Sequence, residues 1–168
     1  VVFCGYGEPL LRLDVVKAVA GEVKRRGGRV RIDTNGHANL INKRNVLPEL
    51  AGLVDAVSVS LNAQNAELYN KISQPAFGVA AYDAVKEFIR EAAKYIPDVT
   101  ATVVALPEVD VEACRKIAEE LGAKFRARED SVVGGCEPFL ILDFGLRADE
   151  RGTITKCGAA GSPARRRR

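Results

Sequence analysis

Asp55-Ala56-Val57-Ser58-Val59-Ser60-Leu61-Asn62 decides how this chain folds, because from Val57 onward apolar and polar side chains alternate. Successive residues of a strand point to opposite faces, so Val57, Val59 and Leu61 share one face and Ser58, Ser60 and Asn62 the other. The same division recurs on both sides of this stretch. Val30, Ile32 and Thr34 oppose Arg31, Asp33 and Asn35; Ala101, Val103 and Ala105 oppose Thr100 and Thr102; Phe125 and Ala127 alternate with Lys124, Arg126 and Arg128. A parallel sheet covered by helices on both sides is apolar on both faces. One repeatedly polar face fits a barrel with its helices outside and a ligand-holding interior. The alternative, a sheet with one solvated face, is seldom parallel. The pattern predicts an α/β chain forming part of an open (β/α) barrel, with about five parallel strands and outer helices.

Outward from that strand the chain repeats strand, loop and helix. An apolar strand at 1–4 runs into Gly5-Tyr6-Gly7-Glu8-Pro9, and a helix over 10–26 follows, closed by Gly27-Gly28. Further strands are predicted at 29–33, 55–61, 99–105 and 124–128. Helices are predicted over 46–53, 66–73, 79–95 and 111–121. The third of these carries Ala81, Val85, Phe88, Ile89 and Ala92 on one stripe. Strands alternating with helices imply right-handed crossovers. From about Ser131 the rhythm stops, and the chain ends in Ser162-Pro163-Ala164-Arg165-Arg166-Arg167-Arg168. Residues 1–130 thus read as the barrel, and 131–168 as an irregular tail, disordered or non-native.

Polar residues collect at the carboxyl ends of the strands: Glu8, then Asp33-Thr34-Asn35-Gly36-His37, then Ser60-Leu61-Asn62. In barrel enzymes that end is the active face. Gly5 and Gly7 let backbone approach a ligand that a Cβ would push away. Glu8 beside exposed carbonyls offers acceptors to an ammonium group. An ordinary strand-to-helix turn reads the same five residues equally well. His37, the one histidine, reads as a loop surface residue rather than an acid or base. Arg31, Asp33, Arg126 and Arg128 are expected in the lumen, to bind an anion or to pair with one another. Tyr69 and Tyr82 read as helix packing.

The 168 residues are one domain's worth, 47% hydrophobic and 28% charged, ordinary for a globular protein. No apolar stretch is long enough to span a bilayer, and no signal peptide is evident, which makes the cytoplasm the default expectation. The net charge of +3 belongs to the tail. Without Arg165 to Arg168 the 25 basic residues become 21 against 22 acidic, a net of −1. The basic balance therefore argues for neither nucleic acid nor membrane. Cys4, Cys114, Cys136 and Cys157 lie 110, 22 and 21 residues apart, with no metal-ligand spacing among them. Cys114 reads as a small core residue and Cys4 as a neighbour of the glycine turn. A chain without methionine that opens inside a strand reads as a fragment.

Phe3-Cys4-Gly5-Tyr6-Gly7-Glu8-Pro9-Leu10-Leu11, Ile32-Asp33-Thr34-Asn35-Gly36 and Val57-Ser58-Val59-Ser60-Leu61-Asn62-Ala63 resemble the S-adenosylmethionine-binding half of radical SAM enzymes. The likeness covers residues 1–129 in order and spacing. It looks most like the TatD-associated radical SAM proteins, through Thr34-Asn35-Gly36-His37-Ala38-Asn39 and Ser58-Val59-Ser60-Leu61-Asn62-Ala63. It implies a partial barrel and a 4Fe–4S cluster whose C-x3-C-x2-C loop would lie upstream of Val1. By the same resemblance Gly5, Gly7 and Glu8 would hold the methionine ammonium, and Pro9 would open the helix. Thr34, Asn35, Ser58, Ser60 and Asn62 would face the ribose and the methionine carboxylate. Adenine would lie near residues 103–106, where alanines replace the family's glycines. The implied chemistry is reductive cleavage of S-adenosylmethionine to a 5′-deoxyadenosyl radical. It uses an electron from a flavodoxin or ferredoxin and acts on an unknown substrate. Lacking the cysteine loop, the chain is expected to be inactive by itself. Three rivals stand beside this reading: an aldolase or isomerase barrel, an RNA-binding protein using its arginine tail, and a truncated fragment with no function.

Overall fold

The computed structural model describes residues 1–5 and 7–129, and the backbone of 146–148 and 154–156. Five strands lie side by side in chain order, each parallel to the next. They are β1 (Val2–Phe3), β2 (Arg31–Thr34), β3 (Ala56–Ser60), β4 (Asp98–Ala105) and β5 (Lys124–Glu129). The crossovers carry α1 (Leu13–Arg25), α2 (Ala38–Asn42), α3 (Leu47–Leu50), α4 (Ala66–Ser73), α5 (Ala80–Tyr95) and α6 (Val111–Glu120). This is the partial (β/α) barrel that the alternation predicts. Two short strands, β6 (Leu146–Ala148) and β7 (Ile154–Lys156), pair antiparallel. The rest of the tail reading falls outside the described residues.

Where the elements depart from expectation, local chemistry gives the reason. The helix expected over 10–26 is divided, with a 3₁₀ turn at Pro9–Arg12 preceding α1. Glu8 caps that turn by accepting from the Leu10 amide, and Pro9 supplies a φ already suited to a first helical position. Arg12, at φ −113° and ψ 55°, interrupts the helical path. At Ala38–Asn42, α2 is too short for its periodicity to be read. Side-chain caps set two other starts: Asn65 Oδ1 accepts from Leu68 N at 2.8 Å, and Asp110 Oδ1 from Ala113 N at 2.9 Å.

The core lies on the helix-covered face. Ile32, Val57, Val59, Val99, Ala101 and Val103 are buried there, against Val16 and Ala20 of α1, Val85, Phe88, Ile89 and Ala92 of α5, and Cys114 and Ala118 of α6. A fully buried side chain such as Phe88 contributes about 1.5–3 kcal/mol relative to exposure. Burial also pushes the Cys114 thiol up to about 11, which leaves it inert packing, as expected.

On the opposite face the parallel register lines polar residues into rows. Asp33 pairs with Ser58, Ser58 with Thr100 and Thr100 with Lys124; further along, Ser60 pairs with Thr102 and Thr102 with Arg126. At the amino ends Asp55 ties three segments together. Its carboxylate accepts from Lys24 Nζ at 2.7 Å and from Val30 N at 2.8 Å, and the lysine contact most of all lowers its pKa.

Candidate functional site

The glycine turn after β1 stands at the carboxyl rim. Gly5 and Gly7 adopt φ of 137° and 123°, which L side chains rarely take, and, their own chain neighbours aside, no heavy atom of the described residues lies within 4 Å of where either Cβ would stand. Among the described residues, no other element covers this backbone. Glu8, between the turn and the 3₁₀ segment, is the hub of the rim. Its Oε1 accepts from Leu10 N at 3.0 Å and from Thr34 Oγ1 at 2.8 Å, and its Oε2 accepts from Asn35 N at 2.8 Å. Pro9 sits at the start of the 3₁₀ turn. The carboxylate therefore fastens the loop after β1 to the loop after β2. Spacing in the sequence gave no sign of this contact.

The loop after β2 is held as firmly. Thr34 is buried, and its hydroxyl oxygen also accepts from Gly36 N at 3.1 Å, while Asn35 Oδ1 accepts from His37 N at 2.9 Å. Gly36 turns at φ 81° against the core, where a Cβ would stand 3.0 Å from Val59 Cγ1. His37 is not the surface residue its loop position suggested. It is 1% exposed, its Nε2 lies 3.1 Å from the Tyr69 hydroxyl, and its ring packs edge-on against Phe77. The tight turn at Gly36 carries the chain inward, so the imidazole lies under α4 rather than in solvent. Tyr69 packs as expected but also serves His37. Tyr82 donates to Ala63 O at 3.0 Å, and burial pushes its hydroxyl up to about 12.

Past β3 the predicted set divides. Ser58 is buried and Ser60 half-buried on the polar face, and among the described residues neither hydroxyl has a hydrogen-bond partner. Asn62 leaves that face. It takes φ 60°, and its side-chain amide donates to Ser73 Oγ at 3.1 Å at the end of α4. Strict alternation ended at Ser60, where the strand ends. Near the expected adenine position Val103 and Leu106 are committed to the core; Val104 faces the polar side, opposite Arg128.

Of the four charged residues expected in the lumen, two pair. Arg31 Nε and Nη2 donate to the two Asp33 oxygens, each at 2.8 Å, and Asp33 raises the guanidinium's pKa further. Cys4 is exposed at the end of β1, close enough to Arg31 to add to that rise. Among the described residues no group of three or more His, Cys, Asp or Glu side chains is placed to hold a metal. No helix among them is long and apolar enough to cross a membrane. A shallow cleft of about 250 Å³ lies at the opposite end, between the amino ends of β1, β2 and β3, lined by Val2, Val30 and Ala56 among others. It holds none of the rim's polar groups.

No curated protein matches the chain. A family model described as the radical SAM superfamily matches residues 1–121, from β1 through α6. That stretch contains the glycine turn, the Glu8 hub and the serine face, and with most of its length matched the chain belongs to the radical SAM superfamily.

Proposed function

We propose that this chain is the S-adenosylmethionine-binding part of a radical SAM enzyme, with the rim of β1, β2 and β3 as the seat. One observation carries the reading. The glycine backbone at Gly5 and Gly7, which no other element among the described residues covers, stands at the same end of the sheet as Ser60, whose hydroxyl, like that of Ser58, is uncommitted among the described residues. The residues suit the ligand in kind. Glu8 is a carboxylate fixed in place for an ammonium group, and the bare backbone at Gly5 and Gly7 adds carbonyl acceptors. Pro9 sets the helix start that holds Glu8. Asn35, Ser58 and Ser60 offer partners to ribose hydroxyls and a carboxylate. Thr34 and Asn62 act as positioning residues in this reading, since Thr34 donates to Glu8 and Asn62 to Ser73.

A 4Fe–4S cluster does not fit the described residues. Cys4 is the single described cysteine at the rim and Cys114 is buried in α6. S-adenosylmethionine in this family supplies a 5′-deoxyadenosyl radical once one electron reaches it. A flavodoxin or ferredoxin is the kind of reductant that chemistry calls for. The finer placement among TatD-associated proteins rests on residues 34–39 and 58–63 of the sequence.

Calorimetric titration with S-adenosylmethionine tests the seat without any need for turnover. The chain should bind, and Gly7→Val, which adds a branched side chain where the backbone takes φ 123°, should weaken binding about tenfold or more. No binding by the unaltered chain, or equal binding by the variant, would refute the assignment.

A further inference from the structure

Four cations project from the polar face: Arg31, Lys124, Arg126 and Arg128. Two are neutralised, Arg31 by Asp33 at 2.8 Å and Lys124 by Asp98 at 3.1 Å. Among the described residues Arg126 and Arg128 have no acidic partner. Their orientation is fixed by the neighbour between them and Lys124. Phe125 packs toward the core, with the Arg115 guanidinium 5.0 Å above its ring, so β5 turns Arg126 and Arg128 the other way. Two residues apart on one strand, they stand roughly 7 Å apart. Their cross-strand neighbours are neutral: Thr102 beside Arg126, its hydroxyl donating to Val59 O at 3.3 Å, and Val104 beside Arg128. Glu129 falls on the opposite face by alternation.

Arg126 and Arg128 are exposed, and their two guanidinium forks stand close enough over a neutral floor for one anion to join them. Each fork matches a carboxylate or a phosphate with paired hydrogen bonds. We infer that Arg126 and Arg128 form the binding site for the carboxylate or phosphate of the substrate. The inference rests on the proposed seat at β1 to β3. Arg126 lies two strands from Ser60, roughly 10 Å along the sheet, so it serves a second ligand on the same face.

Two sources share this chemistry, a substrate anion and the carboxylate of S-adenosylmethionine, and one set of titrations separates them. The 168-residue chain is titrated at low salt with inorganic phosphate, then with malonate, each with and without saturating S-adenosylmethionine. Arginine Nε–H NMR signals report the anions, and calorimetry reports S-adenosylmethionine. The expected result is binding of at least one anion, weakened about tenfold in R126Q/R128Q, with S-adenosylmethionine affinity within about twofold of the unaltered chain. R126K/R128K, which keeps the charge but loses the forks, should fall between, and it decides the matter if the glutamine variant fails to fold. Three results would overturn the site: no anion binding by the unaltered chain, anion binding unchanged in R126Q/R128Q, or S-adenosylmethionine affinity falling in step with anion affinity. Anion binding that depends on the two arginines in a chain that does not bind S-adenosylmethionine would support the anion site and refute the neighbouring seat.

Discussion

The two ends of this sheet are built on opposite plans. At the amino ends charges are matched in place, Lys24 with Asp55 and Lys124 with Asp98, and Asp55 also holds the Val30 amide. At the carboxyl ends Asn62 takes a left-handed φ of 60°, two serine hydroxyls stand uncommitted among the described residues, and a carboxylate gathers two loops. Strain and unspent polar groups are costs that a fold tolerates where a ligand uses them. In the proposed reading, one end of each strand serves stability and the other recognition.

The largest expected effect tests whether the strained end is truly anchored in the core. Gly36→Val puts a β-branched residue at φ 81° with its Cβ 3.0 Å from Val59 Cγ1. The left-handed backbone costs about 1–2 kcal/mol and the overpacking about 1–3 kcal/mol more. Urea denaturation should show the sum; a loss under about 1 kcal/mol would mean that the loop simply moves aside. Next comes Glu8→Ala, which removes the acceptor of Leu10 N, Thr34 Oγ1 and Asn35 N together. A loss of about 1–3 kcal/mol is expected, with Glu8→Gln between the two because it keeps one carbonyl acceptor. Unchanged stability in Glu8→Ala would leave the hub without a structural role and sharpen its role as a ligand group.

The fold was legible because the period of two at Val57 to Ser60 survives in every neighbouring strand, and burial on one side enforces it. The site was legible only as a rim. Sequence brought Glu8, Thr34 and Asn35 to the same end, but not the hydrogen bonds that join them across 26 and 27 residues. His37 was misread because nothing local shows Tyr69 and Phe77 closing over it. Asn62 was assigned to the serine face by carrying a strand's alternation two residues past the strand's end. Side-chain direction follows period inside an element; beyond it, tertiary contacts decide.

A smaller effect probes the amino end through pH. The folded pKa of Asp55 is lowered, first by Lys24 and then by the Val30 amide. Its contribution to stability is therefore complete above the ordinary aspartate value of about 3.9 and is lost as pH falls through the lower folded value. Melting temperature should drop less steeply in Asp55→Asn than in the unaltered chain between about pH 5 and pH 3. Glu49, lowered by Lys17, and Asp14, lowered by the Val15 amide, give both proteins a shared slope, so the difference between the curves is the measurement. Parallel curves would show that the matched charges at this end do nothing for the fold.

The smallest effect on stability is expected where the comparison matters most. Ser58→Ala with Ser60→Ala removes two hydroxyls that bond to nothing else among the described residues, so stability should stay within about 0.5 kcal/mol. A methyl is no worse than an unpaired hydroxyl at these positions, and the burial of Ser58 even favours the exchange. If the proposed seat is right, S-adenosylmethionine affinity in the same variant falls about tenfold, because each lost partner leaves a ligand oxygen unpaired. Affinity lost without stability lost is what a recognition end should show. Stability lost in proportion would mean that the serines hold the barrel together, and the division between the two ends would fail.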